Sequence, residues 1–277
     1  MKGIVTKAVG GFFFPADSNQ KIYQTKVRGK IKDKIYPGDL VEFTDGVIER
    51  LYQRKNLLFR PSIANVDQVL IMLAMDQPAF DRRLLDRFLL MVEDMRLKPL
   101  IIINKMELSM NKSPVEGFED YFQAGYKIYF ISVKEKKGLD ILGKTLDEHV
   151  NVLTGPSGVG KSSLINEMTD AKLAVAELSP KLKRGVHTTR HVELLPVNKG
   201  GWLADTPGFT SLSIKHIKHQ ELRYFFPEFS DYLDKCQFRG CSHTHEPGCA
   251  VKDAVSNGLL SRDRYKSYQL FYEEINK

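Results

Sequence analysis

Apolar residues recur along this 277-residue chain in two different rhythms. Over residues 1–60 they come in short runs, at Gly3–Val9, Lys21–Val27, Leu40–Phe43 and Val47–Tyr52. Turn-forming clusters stand between them: Gly10-Gly11, Ala16-Asp17-Ser18-Asn19, Tyr36-Pro37-Gly38-Asp39 and Thr44-Asp45-Gly46. That pattern predicts short strands closed by tight turns. About five such strands in about 60 residues make a small closed barrel.

From residue 66 the apolar runs lengthen and alternate with helical spacing. Val66–Met75 and Pro99–Ile103 are apolar runs of buried-strand length. Between them, Asp81–Met95 places Leu84, Leu85, Phe88, Leu89 and Val92 on one helical face. Pro114–Ala124 and Leu139–His149 read as further helices, and Tyr126–Ser132 and Asn151–Thr154 as strands. His191–Val197 and Trp202–Ala204 read as a strand pair joined at Asn198–Gly201. Strands alternating with helices predict a mostly parallel sheet covered on both faces. Past residue 210 the strand signals stop, and helical patches remain at Gln220–Phe226 and Arg262–Ile275. The expected division is a barrel over 1–62, an α/β unit over 63–212 and a small α-rich unit over 213–277.

One segment of the α/β unit carries explicit chemistry. Gly155-Pro156-Ser157-Gly158-Val159-Gly160-Lys161-Ser162 fits G-x-x-x-x-G-K-[ST] at every fixed position. Glycines let the backbone curl so that several N–H groups meet one phosphate. The lysine reaches the β- and γ-phosphates, and the serine hydroxyl ligates Mg²⁺. A helix starting here turns its positive end to the same anion. A glycine-rich turn can match by accident, but here an apolar strand, Val152-Leu153-Thr154, precedes the loop and a helical stretch, Ser163–Met168, follows it. A phosphate-binding loop spanning Gly155–Ser163 is the reading, and Lys161 is its catalytic cation.

The base is read elsewhere. Asn104-Lys105-Met106-Glu107 follows a buried strand and resembles the N-K-x-D element of GTPases, in which a carboxylate accepts from guanine N1–H and the exocyclic amine. Glu107 replaces the aspartate and is one methylene longer. Ser132-Val133-Lys134, after the next strand, resembles the S-A-K element that backs the guanine. Asp205-Thr206-Pro207-Gly208 resembles D-x-x-G: Asp205 is expected at Mg²⁺ and Gly208 at the γ-phosphate. Thr188 and Thr189 lie between the phosphate loop and this element. One of them is the candidate switch threonine on Mg²⁺, with Thr189 preferred. The base-reading elements precede the phosphate loop, the reverse of the ordinary order. A circular permutation keeps every strand neighbour if the old termini lie close together.

Charge and cysteines add the two ends. Residues 1–60 hold twelve Lys/Arg against six Asp/Glu, so most of the net +7 sits there. A basic module on a neutral body suits a polyanion such as RNA, or simply a solvated surface. An OB-fold is the leading form of such a barrel, and Phe12, Phe13, Phe14 and Tyr23 are candidates either for base stacking or for its core. All three cysteines fall in Cys236-x₄-Cys241-x-His243-x₅-Cys249. Three thiolates and an imidazole make a closed tetrahedral Zn²⁺ set, hence a structural site; His245 is a rival ligand. No membrane span or secretory leader is expected, and the expected location is the cytoplasm.

Together the basic OB-like module, the permuted GTPase elements and the Cys/His knuckle resemble the small ribosomal subunit biogenesis GTPase (RsgA) family across essentially the whole chain. The segments that carry the likeness are 104–107, 155–163, Gly185-Val186-His187-Thr188-Thr189, 205–209 and 236–249. The resemblance implies binding to the 30S ribosomal subunit and its 16S rRNA, GTP hydrolysis stimulated there, a role in late subunit maturation, and His243 as the fourth zinc ligand. Phe209 stands where many GTPases place a water-orienting Gln, so His187 is the candidate to position the attacking water. Hydrolysis is then expected to be slow until a ribosomal surface orders Arg184–Arg190. Nothing in the sequence calls for an obligate oligomer, and a monomer is expected. Two other readings stay open: an RNA-binding protein with GTP as a structural ligand, and a P-loop small-molecule kinase.

Overall fold

A computed structural model describes residues 1–29, 31–59, 61–109, 115–169, 192–205 and 213–277. The N-terminal strands are β1 (Lys2–Val9), β2 (Phe12–Ala16), β3 (Lys26–Val27), β4 (Leu40–Thr44) and β5 (Val47–Leu51). They run in the order β2-β1-β4-β5-β3. Antiparallel bridges Phe13↔Thr25 and Ala16↔Ile22 join the approach to β3 back onto β2 and close the sheet into a barrel. The circuit 1-2-3-5-4-1, with β3 parallel to β5, is the OB-fold. Val5, Ile35, Val41, Phe43 and Ile48 fill it.

The expected strand Lys21–Val27 is regular only at Lys26–Val27. Instead the triple-Phe segment forms β2. Phe13 and Tyr23 pack onto the barrel core, and the Lys26 ammonium covers the Phe12 ring at 5.1 Å. Strands β6 (Leu57–Phe59) and β7 (Ser62–Ala64) form a hairpin that leads out of the barrel.

The α/β unit then alternates β8 (Gln68–Ala74), α1 (Arg82–Asp94), β9 (Lys98–Asn104), α2 (Glu119–Gln123), β10 (Lys127–Phe130), α3 (Leu139–Leu146), β11 (Val150–Thr154), α4 (Lys161–Met168), β12 (Leu194–Pro196) and β13 (Trp202–Asp205). Every residue of β8 and β11 is buried, including the polar Gln68, Asn151 and Thr154, as expected of strands covered on both faces. Alternate β8 residues face opposite sides: Val69, Ile71 and Leu73 meet α1, while Leu70, Met72 and Ala74 join α3 and α4. The sheet order is β10-β9-β8-β11-β13-β12, parallel except for the β12–β13 pair. If the count is started at β11, that order reads 6-5-4-1-3-2. Each neighbour of a P-loop GTPase sheet is kept, and only the chain's starting point has moved.

The C-terminal unit holds 3-10 segments at Leu222–Phe225 and Pro227–Lys235, then α5 (Ala250–Ser256) and α6 (Arg262–Ile275). The patch at 220–226 is thus a 3-10 turn, and α5 goes beyond the sequence expectation. Ser261 caps α6, its side chain accepting from the Arg264 N–H. No helix among the described residues is long and apolar enough to cross a membrane.

Candidate functional site: a phosphate loop and a base-reading corner

β11 and β9 deliver their loops at the same, C-terminal, edge of the sheet, where open α/β sheets bind ligands. β11 ends at Thr154, and Gly155 turns with φ +142°; a Cβ there would stand 2.0 Å from the Met72 carbonyl oxygen. Gly160 has φ +101°, and a Cβ would stand 2.6 Å from Asn104 Nδ2. These two glycines let the loop lie against β8 and against the base-reading corner at once. No side chain caps α4, so its first backbone N–H groups are left for an anion. Lys161 Nζ donates to the carbonyls of Gly155 (2.8 Å) and Pro156 (2.7 Å), which holds the ammonium over the loop.

Asn104, 3% exposed at the end of β9, ties the corner together. Its Nδ2 donates to the Val159 carbonyl at 2.9 Å, and its Oδ1 accepts from the Val133 N–H at 3.1 Å. One side chain thus joins the phosphate loop to the loop after β10. Lys105 takes a left-handed conformation (φ +63°), and its ammonium donates to the Gln77 carbonyl. Met106–Leu108 follow as a 3-10 turn carrying Glu107. Ser132 is buried, pairs with Lys137 through backbone bonds of 3.1 and 3.0 Å, and donates from Oγ to Glu107 Oε2 at 2.5 Å. Val133 is half-buried and Lys134 exposed beside it.

The structure therefore brings Gly155–Ser163, Asn104–Glu107 and Ser132–Lys134 together. Asp205 ends β13 beside Leu153 of β11, at the same edge. His187, Thr188, Thr189, Gly208 and Phe209 lie outside the described residues. The Asn104 clamp is not among the sequence expectations. Its signal was there, an Asn at the end of a buried strand, where an amide with both donors and acceptor can bridge two loops.

The second site sits in the C-terminal unit. Cys236, Cys241, His243 and Cys249 each bring a ligand atom within 4.8 Å of the others, and His243 is fully buried. His243 Nδ1 lies 3.5 Å from Cys236 Sγ and 3.4 Å from Cys249 Sγ. Metal–sulfur bonds of ~2.3 Å and metal–nitrogen bonds of ~2.0–2.1 Å at a tetrahedral angle put N and S about 3.5 Å apart, so the donor set fits a closed metal site. His245 is excluded from it: its ring is exposed and bonds Thr244. Burial pushes the Cys241 thiol up to about 12, raises that of Cys249, and lowers the His243 imidazole to about 4. A metal must displace thiol protons to bind there. Tyr265 and Tyr268 of α6 fix the loop by donating to the carbonyls of His243 (2.7 Å) and Ser242 (2.6 Å).

Comparison with known proteins places this arrangement. The family model "RsgA GTPase" matches residues 51–215, and "RsgA N-terminal domain" matches residues 2–48. The chain belongs to the RsgA GTPase family. Small ribosomal subunit biogenesis GTPase RsgA of Halalkalibacterium halodurans is 43% identical over 99% of this chain and 97% of that protein. The RsgA of Carboxydothermus hydrogenoformans is 44% identical over 99% and 98%. Among solved structures, YloQ, described as a circularly permuted GTPase, superposes with a TM-score of 0.83 at 37% identity over 99% of this chain and 94% of that one. YjeQ from Thermotoga maritima gives 0.84 at 36% over 99% and 98%. As an RsgA GTPase the chain is a hydrolase acting on GTP, and its permuted strand order and Cys/His cluster are those expected of it.

Proposed function

We propose that this RsgA-family enzyme binds the 30S ribosomal subunit through 16S rRNA and hydrolyses GTP in a ribosome-stimulated manner during late small-subunit maturation. The observation that carries the nucleotide half of the reading is the Asn104 side chain bonded to both the phosphate loop and the loop after β10. A guanine-reading corner and a phosphate cradle are thereby fixed at one spacing. The names of the relatives and the basic OB barrel support the ribosomal half.

In this reading Gly155–Ser163 cradle the phosphates and Asn104–Glu107 with Ser132–Lys134 hold the base. Ser162, Asp205 and Thr189 would hold Mg²⁺, with Thr188 the alternative threonine. When bound, Mg²⁺ neutralises charge on the phosphate oxygens. Lys161 supplies the fixed cation, and His187 would orient the attacking water in place of the absent Gln. The Cys₃His set would hold one structural Zn²⁺. The three units divide at 1–62, 63–212 and 213–277, with the β6–β7 hairpin as the first joint, and the protein works as a cytoplasmic monomer.

The test is GTP turnover with and without purified 30S subunits, with ATP as control. Turnover is expected to rise strongly with 30S subunits and to be negligible with ATP; equal GTP rates in both conditions would sink the proposal. His187→Ala is expected to leave GTP affinity intact and lower stimulated turnover. Wild-type rates on saturating subunits would remove His187 from the mechanism.

A further inference from the structure

A cleft of about 440 Å³ separates the barrel from the starts of β8, β11 and β13, at the edge of the sheet opposite the phosphate loop. Small-ligand sites span roughly 300–1,000 Å³. Three polar side chains of its wall are spent inside the protein. Asp17 accepts from the Asn19 and Lys21 N–H groups and from Tyr23 Oη, Asn65 bonds Gly38 and Lys55, and Asp67 holds the Lys55 ammonium and the Val150 N–H. Two ring nitrogens of the wall are not spent. Trp202 is 5% exposed, and its indole N–H has no acceptor among the described residues. His149 Nδ1 lies 2.5 Å from the Asp147 carbonyl, so Nδ1 carries the proton and Nε2 is left as an acceptor. The two residues adjoin, the Trp202 backbone N–H donating to the His149 carbonyl at 2.8 Å. One donor and one acceptor suit a heteroaromatic edge. Every nucleobase carries such a pair on its Watson–Crick edge, and unpaired RNA bases are read there.

The barrel side of the cleft is basic and aromatic. Lys2 and Leu40 both line it. The Lys2 ammonium lies 4.9 Å from the Tyr52 ring centre, and the Arg50 guanidinium lies 5.0 Å from the same ring. The Tyr52 N–H donates to the Leu40 carbonyl at 2.9 Å. Tyr36 repeats the device, with Lys34 and Arg54 at 5.2 and 5.1 Å. Asp39 neutralises Arg54. Lys2, Lys34 and Arg50 are exposed and form no ion pair among the described residues. Cations interleaved with aromatic rings suit the backbone of a single strand. This strip belongs to β1, β4, β5 and their flanks. The β2–β3 face that OB-folds use for oligonucleotides is a different one, where Lys26 covers Phe12.

We propose that, within the RNA-binding role proposed above, this cleft captures one unpaired base of a single-stranded RNA. Trp202 Nε1–H donates to the base edge, His149 Nε2 accepts from it, and the flanking phosphates run along Lys2, Lys34 and Arg50. A free nucleotide offers the same edge but no chain to lie on the strip. Trp202 opens β13, which ends at Asp205, so a captured base touches the strand that reaches the nucleotide site.

Trp202 is the only tryptophan of the chain, and its emission reports on the cleft. The experiment titrates full-length, metal-loaded protein, kept saturated with GDP so that the phosphate loop stays filled. The ligands are a labelled single-stranded RNA of about six nucleotides and AMP. Anisotropy of the RNA and emission of Trp202 are read together. The RNA is expected to quench Trp202 in step with the rise in anisotropy, and AMP to bind at least ~10-fold more weakly for want of the other phosphates. His149→Ala is expected to weaken RNA binding about threefold to tenfold, the worth of one hydrogen bond. Lys2→Ala is expected to lower the salt slope of binding by about 0.7, one phosphate contact on a single strand. Lys26→Ala, on the β2–β3 face, is expected to change neither. Irradiation of an RNA carrying one 5-iodouridine is expected to cross-link it to Trp202 or His149.

RNA that binds with no change in Trp202 emission would overturn the inference. So would cross-links confined to the β2–β3 face, with affinity lost in Lys26→Ala and kept in His149→Ala. AMP binding as tightly as the RNA would overturn it too, by making the cleft a free-nucleotide site. The emission and cross-linking arms use the wild type, so they decide the matter even where His149→Ala folds poorly. RNA that fails to bind at all is a different result: it would remove the RNA-binding role itself, and the captured base with it.

Discussion

The α/β unit is gripped at its two ends in opposite ways. Toward the C-terminal unit the contact is buried and charged. Arg264, 2% exposed, lies between Asp86 of α1 and Glu228, bonded to them at 2.7 and 2.8 Å, with its guanidinium 4.7 Å from the Phe226 ring centre. Asp86, fully buried, also accepts from Tyr121 Oη at 2.9 Å and from Ser267. Arg87–Glu274 and Ser261–Asp120 surround this centre. Toward the barrel the contact is open. It includes the Lys7–Glu193 pair, whose side chains are 35% and 43% exposed, the Gln20 amide on the turn before β13, and the Asn65–Gly38 bond. A cleft of about 440 Å³, lined by Lys2, His149 and Trp202 among others, remains between the two. The difference teaches that the C-terminal unit is an extension of α1's packing, while the barrel is a module resting on the sheet.

The strongest way to break this contrast is to remove the metal ligands. Cys249 both belongs to the metal cluster and stands at the start of α5, accepting from the Asp253 N–H at 3.0 Å. Cys249→Ser is expected to abolish bound metal and cost several kcal/mol locally, because metal binding at such sites is folding free energy. Hydrogen exchange should show the amides of 236–256 losing protection while β8, β9 and β11 keep theirs. Full protection of the knuckle in the metal-free variant would mean that packing alone holds the unit.

Next in size is the charge cluster itself. Arg264→Ala leaves Asp86 and Glu228 buried without their cation, at a cost of about 3–5 kcal/mol. Denaturant melting should show that loss, with the C-terminal unit coming off α1 first. A change under about 1 kcal/mol would mean that water enters the cluster and that the interface is as wet as the barrel's.

That cluster also marks where the sequence stops being legible. The phosphate loop, the β8 and β11 strands and the Cys/His set are local patterns, whose spacing is itself the chemistry. Asp86, Glu228 and Arg264 are far apart along the chain, and nothing near any of them signals a partner. Their meeting is a product of the tertiary fold. Local rules also misplace the triple-Phe segment. Its three aromatics carry no period-2 alternation, yet barrel closure makes it β2. The 3-10 turns and α5 are too short for a helical period to register. Glu107 was legible as a departure from the pattern, but its bond to Ser132 was not, because register between β9 and β10 decides it.

The smallest expected effect is at the barrel contact, and there stability is the wrong readout. Gln20→Ala removes one amide donor shared between the carbonyls of Val197 (3.1 Å) and Gly201 (3.4 Å). Its cost is about 0.5–1.5 kcal/mol, and Lys7→Ala adds about 0–1 kcal/mol for a half-exposed pair. Both contacts nevertheless fall on the hairpin β12–β13: Lys7 on Glu193, just before it, and Gln20 on its turn. That hairpin ends at Asp205, beside the phosphate loop strand. In the proposed function, a barrel that binds RNA and grips this hairpin can bias the nucleotide site through these bonds. The double variant Lys7→Ala/Gln20→Ala is therefore expected to keep its melting transition and intrinsic GTP turnover close to wild type while losing part of the turnover gained on 30S subunits. Unchanged stimulation in the double variant would show that the barrel only anchors the enzyme, and that the open contact carries no signal.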